Sequence, residues 1–107
     1  MHMLSHAVYF TLKDRTPAAA AKLVASCRTH LTGHPGTVAF SVGTVASYDR
    51  QVNDRDHDVA LTIVFESHAA HDAYQVADRH EQFIAENATT WAKVRVFDAD
   101  LAEFTAK

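Results

Sequence analysis

The chain has one cysteine, Cys27, so an internal disulfide framework is excluded and a reducing compartment is expected. Lysine and arginine form no cluster anywhere and the net charge is −3, which disfavours electrostatic docking on nucleic acid or on an anionic membrane. No apolar stretch approaches the roughly 18 residues that a membrane-spanning helix needs. The opening Met1-His2-Met3-Leu4-Ser5-His6 lacks the charged region and long apolar run of a signal peptide, and the expectation is a cytoplasmic protein. Internal repeats, low-complexity tracts and linkers are missing too. So are a Gly-rich phosphate loop, a nucleophile elbow and a dinucleotide fingerprint.

What is present is one domain's worth of ordinary globular sequence. The 107 residues, 48% of them hydrophobic, suit a single domain over 1–107 with a modest core. Eight histidines are many for this length, and each calls for an explanation.

Residues 4–12 alternate as a strand, with Leu4, His6, Val8, Phe10 and Leu12 on one face and Ser5, Ala7, Tyr9 and Thr11 on the other. Thr16 followed by Pro17 reads as an N-cap with proline at the first helical position. Ala20, Leu23, Val24, Cys27 and Leu31 then recur at helical spacing until Gly33-His34-Pro35-Gly36 ends the helix. A second strand is predicted over 38–47, and the polar run from Ser47 to Asp56 reads as an exposed loop or hairpin connection. A third strand over 58–66 is apolar on both faces: Val59, Leu61, Ile63 and Phe65 on one, Ala60, Thr62 and Val64 on the other. Such a strand belongs at the centre of a sheet covered on both sides.

Ser67 is placed to cap a short helix over 68–76. A further helix is predicted from Asp78, with Glu81 three residues on as in a capping box, and it sets His80, Phe83, Ile84 and Asn87 on one face. A last strand over 92–98 sets Val94 and Val96 opposite Arg95 and Phe97, and Leu101 and Phe104 in the tail are available to pack. The order β-α-β-β-α-β, with its second helix broken in two, is the ferredoxin-like arrangement of an α+β fold with an antiparallel four-stranded sheet. One layer of helices covers one sheet face, so a homodimer is expected in which two sheets stack into a barrel.

These residues resemble the stress-responsive α/β-barrel (Dabb) domain family of dimeric α/β-barrel proteins. The likeness rests on His6-Ala7-Val8 running into Phe10 and Lys13-Asp14, the Pro35-Gly36 turn, and Asp58-Val59-Ala60-Leu61 leading to Phe65-Glu66-Ser67. It continues through Ala73-Tyr74, with His80 six residues on, to the closing Phe97-Asp98. The resemblance implies a homodimer and says little of activity, since most members have no assigned reaction. One plant member is a polyketide cyclase performing an aldol condensation without a cofactor. Its functional tyrosine and histidine map onto Tyr74 and His80, and its pocket-lining first-strand histidine onto His6. Two features depart from the pattern: Ala77-Asp78 stands where His-Pro is common, and Leu23 and Val24 stand where the cyclase has large aromatics.

The candidate site therefore has Tyr74 and His80 as an acid–base pair, with His6, Val8, Phe10, Val59 and Phe83 lining a pocket for a small, mostly apolar molecule. An imidazole beside Phe83 and Ile84 is desolvated, which keeps it neutral as a base, and a tyrosine hydroxyl nearby is able to stabilise an enolate oxygen. The same pattern is met by a core histidine and tyrosine bonded to the backbone, and His6 likewise reads as either a ligand-orienting group or a satisfied core histidine. No cofactor and no metal are expected. Cys27, His30 and His34, spaced C-x2-H-x3-H, lack further ligands at a recognised spacing, and His68 with His71 reads as a solvated first turn. His2 and His57 receive no role. Two alternatives stand beside the enzyme: a stress-response module that holds a ligand without converting it, and, by fold analogy alone, a haem-binding or monooxygenase-like protein.

Overall fold

The computed structural model describes residues 2–106. Strand β1 (Leu4–Leu12) leads into helix α1 (Pro17–Leu31), followed by strands β2 (Thr37–Thr44) and β3 (Val59–Phe65). Two short helices, α2 (His68–Gln75) and α3 (Asp78–Asn87), a 3-10 turn (Ala88–Thr90) and strand β4 (Trp91–Asp100) complete the domain. The sheet runs β2-β3-β1-β4 with every pair antiparallel, so the fold is ferredoxin-like as expected, with β3 and β1 at its centre.

Local chemistry explains most of the boundaries. The Thr16 hydroxyl accepts from the amide of Ala19, with Pro17 in the first turn where its missing N–H leaves no bond unmade, and the Ser67 hydroxyl accepts from the amide of Ala70. Gly36 holds the turn into β2 at a φ of +84°, and a Cβ there would come within 2.4 Å of the Ala70 Cβ on α2. That close approach seats α2 against the turn, and only glycine permits it.

Three expectations are corrected. β2 stops at Thr44 rather than 47, while β4 is longer than predicted and stays paired with β1 as far as Asp100 opposite Leu4. The capping box at Asp78 does not form: Ala77 is the N-cap, no side chain caps the helix, and Asp78 and Glu81 lie within the first turn, where they favour the helix dipole. The amide of Ala77 is instead bonded to the carbonyl of Tyr74, so the backbone leaving α2 sets how α3 begins. The segment from Ser47 to Asp56 is largely exposed, as expected, and its ends are tied to the sheet. Asp58 accepts from the amide of Leu12 and pairs with Arg15, Arg95 reaches Asp54 at 2.7 Å, and Lys93 pairs with Asp56.

The core lies between the sheet and its helices. Phe65, Leu31, Leu61, Ile63, Val59 and Cys27 are its most completely buried side chains. The register places Ser5, Ala7, Tyr9 and Thr11 of β1 on the opposite face, beside Ala60, Thr62 and Val64 of β3 and Lys93, Arg95 and Phe97 of β4. Among the described residues no helix crosses that face, and Phe97 there is 56% exposed. No helix among the described residues is long and apolar enough to cross a membrane.

Candidate functional site

Alternation along β1 turns His6, Val8 and Phe10 toward the helices, and all three are buried. α2 presents His71 and Tyr74, three residues apart and so on one face, toward the same end of the sheet. The break at Val76-Ala77 redirects the chain so that the first turn of α3 brings His80 back beside Tyr74. Of these, His6, Val8, Phe10, Tyr74 and His80 line one cavity of about 140 Å³, completed by Leu61, Phe83 and Trp91, while His71 stands behind His6. Val94, Val96 and Ile84, each at least 38% exposed, form its rim, so the expected pocket is a cleft with an open, apolar mouth.

Five of the anticipated lining and reacting residues thus meet around Tyr74: His6, Val8, Phe10, His80 and Phe83. Val59 does not join them. It lies opposite Phe10 in the register, wholly inside the core, and Leu61, one step along the same face of β3, takes the place expected for it. Alternation tells which face a residue occupies but not how far along the strand a cavity extends.

Tyr74 is 2% exposed and ringed by aromatic side chains. The imidazole of His80 stands edge-on at 4.7 Å between centroids, that of His34 at 4.9 Å, the ring of Phe65 at 4.9 Å and that of His6 at 6.0 Å. Among the described residues neither the Tyr74 hydroxyl nor the His80 imidazole has a hydrogen-bond partner, so both keep their polar atoms for whatever enters the cleft. Burial raises the pKa of Tyr74 and keeps it a neutral donor. Burial also lowers the pKa of His80, helped by the nearby imidazoles of His6, His34 and His71, so that it is a neutral base at physiological pH.

His6 is anchored differently. Its Nδ1 lies 2.6 Å from a carboxylate oxygen of Asp98, its direct neighbour in the register, and its ring packs 4.9 Å from that of His71. Desolvation lowers its pKa, and the Asp98 carboxylate works against that shift. Asp98 and His71 were not singled out from sequence as site residues. Asp98 had a visible signal, since it extends the inward pair Val94 and Val96 at two-residue spacing and is a carboxylate where an apolar side chain is expected. His34, the third omission, stands behind the Tyr74 ring and donates from Nε2 to the carbonyl of His30 at 2.8 Å.

The other histidine patterns come apart. His30 turns to Glu86, and Cys27 is fully buried with its thiol pKa pushed up to about 12 by desolvation, so Cys27, His30 and His34 make no ligand set. His68 turns outward to Asp100 while His71 turns inward to His6. On the uncovered sheet face, His57 lies 5.0 Å from the Tyr9 ring, in a separate depression with Asp54, Arg95 and Phe97.

The sequence model of the stress responsive A/B barrel domain matches residues 4–101. No curated protein matches the sequence. Among solved structures, a Dabb-family protein with a ferredoxin-like fold from Mesorhizobium loti superposes with a TM-score of 0.79 at 19% identity, over 96% of this chain and 100% of that one. A dimeric ferredoxin-like protein of unknown function from Thermobifida fusca gives 0.76 at 18% identity, over 94% and 92%. A hydroxynitrile lyase from Passiflora edulis gives 0.76 at 18% identity, over 98% of each chain. At such identities the likeness is one of fold.

Proposed function

The chain belongs to the stress-responsive A/B barrel domain family, and on that footing we propose that it binds a small, mostly apolar carbonyl compound in the cleft around Tyr74 and acts on it by acid–base chemistry. The observation that carries this reading is the edge-on contact of Tyr74 and His80, both without hydrogen-bond partners among the described residues, at the wall of a mostly apolar cleft. At about 140 Å³ the cleft falls below the roughly 300–1,000 Å³ of drug-sized sites, which argues for a compact ligand.

Neutral His80 takes a proton from the carbon next to the carbonyl. The C–H electron pair moves into the enolate, and the Tyr74 hydroxyl donates to the oxygen on which the charge develops. The proton held on His80 then returns to the product. His6, fixed by Asp98, presents the remaining ring nitrogen to the ligand and sets its orientation. A hydroxynitrile lyase among proteins of the same fold is in keeping with small-molecule chemistry on this scaffold. The uncovered sheet face supports association with a second copy, as in the dimeric Thermobifida protein.

The test is hydrogen–deuterium exchange at the carbons next to the carbonyl of cyclohexanone, followed by NMR in D2O. The native protein is expected to exceed the buffer rate, and His80→Ala to lose about 10²-fold or more of that excess. Tyr74→Phe, which keeps the ring and removes only the hydroxyl, is expected to lose a similar share. An excess rate untouched by His80→Ala overturns the assignment, and saturable binding of cyclohexanone without exchange identifies a ligand-holding module instead.

A further inference from the structure

From the side chains gathered beyond the Tyr74–His80 pair, we infer that His6, His71 and Asp98 form a binding site for a divalent transition-metal cation of the Zn²⁺ class. Each offers a ligand atom within 4.8 Å of the other two. In tetrahedral zinc, with bonds of about 2.0–2.2 Å, ligand atoms stand roughly 3.4 Å apart. Side-chain rotation alone is able to close a difference of that size.

Four further observations point the same way. The ligands come from three separately anchored elements: His6 on central strand β1, Asp98 directly opposite it on β4, and His71 on α2, whose ring packs 5.6 Å from that of Phe65. The donor set is two imidazoles and one carboxylate, which suits borderline cations, whereas calcium and magnesium sites are built from oxygen ligands. The outer contacts are also those of a ligating histidine. His71 Nδ1 lies 3.3 Å from the Asp72 carboxylate, leaving Nε2, which now receives the Gln75 amide at 3.2 Å, as the atom to bind. Burial grades outward from His6 at 6% side-chain exposure through His71 at 17% to Asp98 at 41%, which gives a path in from solvent.

Three protein ligands leave a coordination position for water or a ligand, as in open zinc sites. Tyr74 and His80 are not ligands, so the metal site and the acid–base reading are tested separately. Without a cation, His6 and Asp98 are hydrogen-bonded directly to each other at 2.6 Å, a contact that opens when the ion enters.

The experiment titrates chelator-stripped protein with Co²⁺, read by its visible absorption, and with Zn²⁺, read by calorimetry. A single ion per chain at micromolar affinity is expected, with Co²⁺ bands of low coordination number. His71→Ala and Asp98→Asn are each expected to weaken binding about tenfold or more, with circular dichroism confirming that the variants remain folded. His68→Ala, one turn away on the same helix, is expected to leave binding unchanged. Binding no tighter than millimolar, or binding lost in His68→Ala and kept in Asp98→Asn, overturns the site in favour of no metal or of a surface pair on α2.

Discussion

Half-buried beside Tyr74, His80 lies in the field of the His6, His34 and His71 imidazoles, and among the described residues no carboxylate pairs with it to hold a proton on it. Its folded pKa lies below the ordinary 6.5, so in the window just under 6.5 the unfolded chain binds more protons than the native one. Stability is therefore full above about pH 6.5 and is lost as pH falls through the folded pKa. The urea midpoint is expected to drop between pH 7 and pH 5, and to drop less in His80→Gln. An NMR titration of the ring protons should place the pKa of His80 below the ordinary 6.5. Cys27 offers a second check at this scale. With no exposure and a thiol pKa near 12, it is expected to react with a thiol reagent only as fast as the protein unfolds.

Among the elements, turns and caps carry contributions that single substitutions expose. Thr16→Ala removes the hydroxyl that accepts the Ala19 amide and is expected to cost about 1 kcal/mol. Gly33 and Gly36 both hold positive φ, but a Cβ at Gly33 meets nothing within 4 Å whereas one at Gly36 strikes Ala70. Gly33→Ala should therefore cost about 1–2 kcal/mol for the left-handed backbone alone, and Gly36→Ala distinctly more because α2 has to move. Urea melts of the two variants decide it, and equal costs contradict the close seating of α2. Both caps were legible because a capping hydroxyl and the amide it accepts from lie three residues apart in sequence. The helix α3 starts at Asp78 as read, but its capping was not legible, because Tyr74 and Ala77 settle it through the backbone and leave no signature in side chains. The His6–Asp98 pair lay further out of reach. It spans 92 residues and depends on the β1–β4 register, which periodicity leaves open.

At the scale of the molecule, one sheet face is packed and the other is not. The inference from β3, apolar on both sides, placed that strand at the centre of the sheet, as found, and its Val64 on the helix-free face is already buried within one chain at 8% exposure. Tyr9 and Phe97, 5.7 Å apart between ring centroids, stand on the uncovered side with the salt-bridged segment around Asp54 beside them. Association of two copies through this face, burying about 800 Å² on each, is expected to appear as a dimer in sedimentation, and Phe97→Glu to shift it to monomer. The cleft lies on the other side of the sheet, so the variant should keep the cleft's local structure.

The central claim is that the cleft bounded by Tyr74, His80 and His6 receives a small carbonyl compound. Its most direct test is a proton NMR titration of the histidine rings with cyclohexanone. The His80 and His6 resonances are expected to move saturably while those of His57 and His68, outside the cleft, stay in place, and Tyr74→Phe is expected to weaken the response. Resonances of His80 and His6 that do not move, or that move no more than those of His57 and His68, would contradict it.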